Sequence, residues 1–173
     1  DMGRDSRSAD DNSLGSVPGF VLGPSGLACD NLPLADIARQ AGTPVHVYSG
    51  ALIDERLRDF DAPFAGVPHR LHYAMKANPM PALVAHMVRR VDGIDVASGR
   101  ELRVALDAGV DPREVSFAGP GKSEGELRQA IAAGILLNVE SMREVELLAG
   151  LSASLGLPAR VALRINPDFE LKT

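Results

Sequence analysis

The sequence predicts an α/β fold, the N-terminal part of a (β/α)8 TIM-type barrel. Three observations lead there. From residue 71 onward, short apolar runs alternate with amphipathic helical stripes, the pattern of a parallel sheet covered by helices. Three Ser-x-x-Glu signals, Ser98 to Glu101, Ser123 to Glu126 and Ser141 to Glu144, each follow one of those runs and mark helix starts in phase with the strands. The first strand-to-helix turn, KANPMP, lacks the G-x-G-x-x-G that a dinucleotide-binding, doubly wound sheet carries there. An open sheet is therefore the less favoured closure.

Residues 1–13, DMGRDSRSADDNS, are polar and have no apolar core. They read as a disordered lead or a cloning remnant rather than a signal peptide. Residues 14–45 are rich in Gly and Pro, with an apolar piece at Phe20-Val21-Leu22 and a short helix expected over 34–40. Residues 45–48, VHVY, read as a strand. Residues 51–60 read as a helix with Leu52, Ile53, Leu57 and Phe60 on one side.

Strands are then expected at 71–76 (LHYAMK), 93–97 (GIDVA), 114–119 (EVSFAG), 135–140 (ILLNVE) and 160–165 (RVALRI). The first four recur at roughly 20-residue intervals, which one strand, one helix and two tight loops require. The helices between them carry apolar stripes such as Leu83, Val84, Met87 and Val88, or Val145, Leu148, Leu151 and Leu155. Asn78 followed by Pro79 is expected to cap and start the first of them. A complete barrel needs eight strands and about 250 residues, so five strands imply a missing C-terminal half or a companion chain. Alone, such a half-barrel has two open strand edges and is expected to be sticky or poorly folded.

Composition narrows the function. Apolar residues make up 45% and charged residues 24% of the chain, values ordinary for a soluble globular protein. The net charge is −5 and no basic run of five or more occurs, so neither nucleic acid nor a membrane is expected as a partner. No apolar stretch is long enough to span a bilayer. Cys29 has no possible disulfide partner within the chain, which fits a reducing cytoplasm.

Strand parity selects candidate site residues. In LHYAMK, His72, Ala74 and Lys76 share one face and Leu71, Tyr73 and Met75 the other. The bulky apolar set suits the outer helices, which aims Lys76 into the barrel at the strand's C-terminal end, where barrel enzymes place catalytic groups. An amine withdrawn from water can lose its proton and form a Schiff base. The plainer alternative is a solvated lysine at a strand end. Asp95 lies inside an apolar run. Asn138 and Glu140 share a face, as do Arg164 and Asn166. Each polar group alone could be locally satisfied, and Asp95 with Arg164 could form a structural ion pair. Gly119-Pro120-Gly121-Lys122-Ser123 is not a nucleotide P-loop, because Ser116 stands where that motif needs its first Gly. It remains a plausible glycine-rich turn at the catalytic face. His86 reads as structural, and His46 and His72 have no metal-ligand spacing with other side chains.

Five motifs in order, YAMKANP, DVASGREL, FAGPGKSEGEL, LLNVES and ALRINPD, resemble the diaminopimelate/ornithine decarboxylase family. These are pyridoxal 5'-phosphate enzymes with the alanine-racemase-like barrel. The resemblance runs from about Val45 to Phe169. HYAMKANPMPALV and FAGPGKSEGEL look most like a bacterial, diaminopimelate-decarboxylase-like subgroup associated with exosortase and exopolysaccharide genes.

The resemblance implies a lyase that decarboxylates an amino acid, diaminopimelate-like or another basic or diamino acid. Lys76 matches the Schiff-base lysine, Asp95 the acidic residue near that lysine and the cofactor, and Arg164 an arginine near the cofactor ring. It further implies a homodimer with shared active sites. The phosphate-binding, ring-stacking and substrate-binding residues would lie beyond residue 173. Residues 14–48 would contribute to a second β domain and residues 49–173 would form the first half of the pyridoxal-phosphate barrel. Three alternatives stay open: a racemase on the same fold, a cofactor-free lysine aldolase, and a non-catalytic, decarboxylase-like regulatory protein.

Overall fold

The computed structural model describes residues 17–165. The readings of residues 1–13 and of Asn166 lie outside the described residues. The chain divides between Gly66 and Val67 into two compact units.

In the first unit, β1 (Phe20–Gly23), β2 (Gly26–Cys29) and β3 (Leu32–Pro33) form an antiparallel meander. Cys29 pairs with Leu32 across the two-residue loop Asp30-Asn31. Both loop residues have positive φ, 47° and 66°, as a type I′ hairpin requires and as Asp and Asn tolerate. Two helices follow, α1 (Leu34–Ala41) and α2 (Gly50–Asp61). Ser49 caps α2 by accepting from Leu52 N, and donates its own hydroxyl to Asp30 Oδ1.

The strand expected at 45–48 is not formed: these residues lie in no regular element. Their alternation suits a strand, but among the described residues they pair with no strand of either sheet. The contact boundary also places α2 in this first unit.

In the second unit, β4 (His72–Ala74), β5 (Gly93–Val96), β6 (Val115–Phe117), β7 (Leu136–Val139) and β8 (Arg160–Leu163) form one sheet in the order β4-β5-β6-β7-β8, every pair parallel. The connecting helices are α3 (Pro81–Met87), α4 (Gly99–Asp107), α5 (Glu124–Ala133) and α6 (Met142–Leu155). A doubly wound sheet reverses its strand order at a switch point. This one never does. The order is the one expected of the N-terminal part of a (β/α)8 barrel.

Period-2 alternation builds the core. Ile94, Val96, Val115, Phe117, Leu137 and Val139 face the helices and are buried. They pack with Val84, Leu102, Leu127, Ile131, Leu148 and Leu151 in one cluster. The intervening positions, Asp95, Ser116 and Asn138, face the other way and are only partly buried.

Two expectations about the first βα turn need correction. The strand reaches only Ala74, and Met75–Ala77 forms a 3-10 turn. The first helix starts at Pro81, not Pro79, and Asn78 is not its cap. Asn78 and Met80 each precede a proline, which pushes both into extended backbone (ψ 106° and 123°). The helix can begin only after the second proline. Asn78 Oδ1 instead accepts from Met80 N at 3.0 Å, closing a side-chain turn.

Candidate functional site

A cleft of about 510 Å3 opens at the C-terminal ends of β4 to β8, lined among others by Lys76, Asp95, Ser116, Gly119, Asn138 and Arg164. The sheet builds its floor. Asp95 faces Ala74 on one neighbouring strand and Ser116 on the other. Ser116 Oγ donates to Asp95 Oδ1 at 2.7 Å, and His72 Nδ1 lies 3.0 Å from the same oxygen. Asn138 Nδ2 reaches Ser116 Oγ at 3.5 Å. A polar ladder thus crosses four strands on the face opposite the helices.

The two lysines among the described residues contrast sharply. Lys122 is buried, its side chain 1% exposed. Its amine donates to Gly119 O (2.7 Å), Asn138 O (2.7 Å) and Glu144 Oε1 (3.2 Å), so its capacity for three donors is filled. Lys76 lies in the 3-10 turn after β4 and is exposed. Among the described residues its amine makes no hydrogen bond or ion pair. Lys76 was expected to be withdrawn from water. It is not, because the five-stranded sheet leaves its inner face open.

Lys122 ties the loop after β6 to β7 and α6. Gly119 sits at φ 127°, a conformation that favours glycine, and its N–H donates to Glu140 Oε1 at 2.6 Å. Glu140 Oε2 in turn lies 3.4 Å from Arg164 Nη1. The glycine-rich turn therefore does border the cleft, but its lysine points inward to backbone carbonyls and is not available to a phosphate.

The structure brings Lys76, Asp95 and Arg164 to one cleft. It does not pair Asp95 with Arg164: Asp95 bonds to His72 and Ser116, and Arg164 to Glu140. His72 and Ser116 were not singled out from the sequence. The signal was present in strand parity, since His72 shares a face with Lys76 and Ser116 pairs with Asp95 in register. No group of three or more His, Cys, Asp or Glu among the described residues could hold a metal. No described helix is long and apolar enough to cross a membrane.

The family model for the pyridoxal-binding domain of pyridoxal-dependent decarboxylases matches residues 50–173, more than half of the chain. The chain belongs to this decarboxylase family. Diaminopimelate decarboxylase of Zymomonas mobilis is 41% identical over 158 residues, covering 89% of this chain and 38% of the relative. A crystal structure of an Aquifex aeolicus protein superposes with a TM-score of 0.75 at 38% identity, over 87% of this chain and 38% of that one. Helicobacter pylori diaminopimelate decarboxylase complexed with L-lysine gives 0.72 at 32% identity, over 82% and 36%. The chain thus spans well under half the length of the decarboxylases it matches.

The cleft of this decarboxylase domain fits pyridoxal phosphate in donor chemistry. Lys76 offers a free amine, Asp95 a carboxylate with one oxygen unused among the described residues, and Arg164 an exposed guanidinium.

Proposed function

We propose that the protein to which this chain belongs is a pyridoxal-phosphate-dependent amino-acid decarboxylase. In this reading Lys76 holds the cofactor covalently, and Asp95 and Arg164 contact it. One observation carries the reading: of the two described lysines, only Lys76 presents an unpartnered amine to the cleft.

When bound, pyridoxal phosphate supplies the electron sink that takes up the pair left as carbon dioxide departs. The residues of this chain supply position and charge. Lys76, at the C-terminal end of the first barrel strand, is placed where barrel enzymes carry chemistry. Its amine, unpartnered among the described residues, would hold the cofactor. Asp95 holds a negative charge on the cleft floor and favours cationic nitrogen there. Arg164, held by Glu140, presents its remaining N–H groups along the rim.

The substrate is diaminopimelate-like or another basic diamino acid. The relatives named diaminopimelate decarboxylase support this, as does L-lysine bound to the Helicobacter pylori enzyme, because lysine is what diaminopimelate leaves on losing one carboxylate. Residues 49–173 would be the first part of the cofactor barrel and residues 14–48 part of a β domain. The enzyme would be a cytoplasmic homodimer with shared active sites.

Carbon dioxide release by the whole protein from 2,6-diaminopimelate, ornithine and lysine tests the reading. Release from diaminopimelate that Lys76→Ala abolishes is expected. Undiminished release by Lys76→Ala would contradict it.

A further inference from the structure

Asp95 is oriented by its neighbours in an unequal way. Its Oδ1 takes both hydrogen bonds, from Ser116 Oγ at 2.7 Å and from His72 Nδ1 at 3.0 Å. Its Oδ2 takes none among the described residues, although the side chain is 44% exposed beside the cleft. Donor chemistry fixes the direction of each bond. A carboxylate only accepts, so His72 donates from Nδ1 and its tautomer is set. The single hydroxyl proton of Ser116 goes to Asp95, so Ser116 can only accept from Asn138 Nδ2.

The backbone makes room for the arrangement. His72 pairs in register with Gly93 on the next strand. A Cβ at Gly93 would lie 2.6 Å from both Cε1 and Nε2 of His72 and 2.5 Å from the Glu114 carbonyl. Only glycine leaves the space in which the ring now sits. Glycine inside a strand weakens it and often marks a close approach. Here that approach places a charge-assisted donor under Asp95.

We propose that His72 and Ser116 are positioning residues for Asp95. By occupying Oδ1 from two sides they lock the carboxylate and keep Oδ2 turned toward the cleft, where it meets the cofactor. The inference rests on the reading that Asp95 contacts pyridoxal phosphate. It adds two residues that act only through Asp95.

The test uses the whole protein, stripped of cofactor and titrated with pyridoxal phosphate. The readouts are the dissociation constant and the melting temperature of the stripped form. Asp95→Asn, His72→Phe and Ser116→Ala should each weaken binding, the last two about tenfold, the equivalent of about 1.4 kcal/mol. His72→Asn, which keeps a donor near the Nδ1 position, should bind close to the parent. In an Asp95→Asn background His72→Phe should add little further loss, because the two act in one chain.

Fully additive losses would overturn the proposal, as would His72→Asn binding as poorly as His72→Phe. Normal binding by His72→Phe and Ser116→Ala alongside weak binding by Asp95→Asn would overturn the inference and leave the site reading intact. Normal binding by Asp95→Asn would overturn both. If His72→Phe does not fold, Ser116→Ala with its own Asp95→Asn double variant decides in its place.

Discussion

Lys122 donates to two carbonyls and to the carboxylate of Glu144, and both charged side chains are nearly excluded from water. Removing one member of a buried pair strands the other, typically at a cost of 3–5 kcal/mol. Lys122→Met keeps the aliphatic stem but leaves Glu144 uncompensated. It should destabilise the whole protein by about 3 kcal/mol in denaturant titrations, and a loss under about 1 kcal/mol would show that the pair does not hold the loop. The sequence separates the two lysines only partly. Lys76 announces itself by parity with His72 and Ala74. Lys122 does not, since its acceptors include the carbonyl of Asn138, which only the folded sheet brings near. Asp95 is legible as a carboxylate in an apolar strand, but the donors on its Oδ1 come from adjacent strands and depend on register.

Helix starts show the same division at the level of elements. Ser98, Ser123 and Ser141 all cap their helices as their Ser-x-x-Glu spacing predicts. Only Ser123 and Glu126 close a full reciprocal box. Glu101 and Glu144 bond instead to the N–H one residue earlier, of Ala97 and Glu140. The backbone accounts for this: Ser98 and Ser141 are fully extended at φ −154°, whereas Ser123 sits at φ −74°. Spacing fixes which residues cap, and the strand feeding each helix fixes which N–H is reached.

Glu126 also serves a second helix, accepting from Gly99 N at 2.7 Å at the start of α4. That bond, and then the one from Ser123 N, hold its carboxyl below the usual glutamate range. A carboxyl depressed on folding contributes stability above its unfolded value, about 4.3, and loses it as pH falls through the folded value. Glu126→Gln should therefore be less stable than the parent at neutral pH, and the difference should shrink below about pH 4. Melting curves across that window check it. A constant difference would mean that the charge is not what the two helix starts use.

For the whole molecule, the choice between barrel and open sheet was legible from the missing G-x-G-x-x-G, and the unreversed order β4 to β8 agrees. The failed strand at residues 45–48 shows the limit of pattern reading: alternation states what a segment could pair with, not whether a ladder forms. Among the described residues β4 and β8 end the sheet, and Val161 and Leu163 of β8 are exposed. The inner face, with its ladder from His72 to Asn138, likewise lies open above a cleft that Lys76 borders. The account stands on that amine being the cofactor's anchor. Borohydride reduction of the whole protein with pyridoxal phosphate bound, followed by peptide mapping, tests this directly. The account predicts pyridoxyl label on the peptide containing Lys76. Label on Lys122 or Lys172, with Lys76 unmodified, would contradict it.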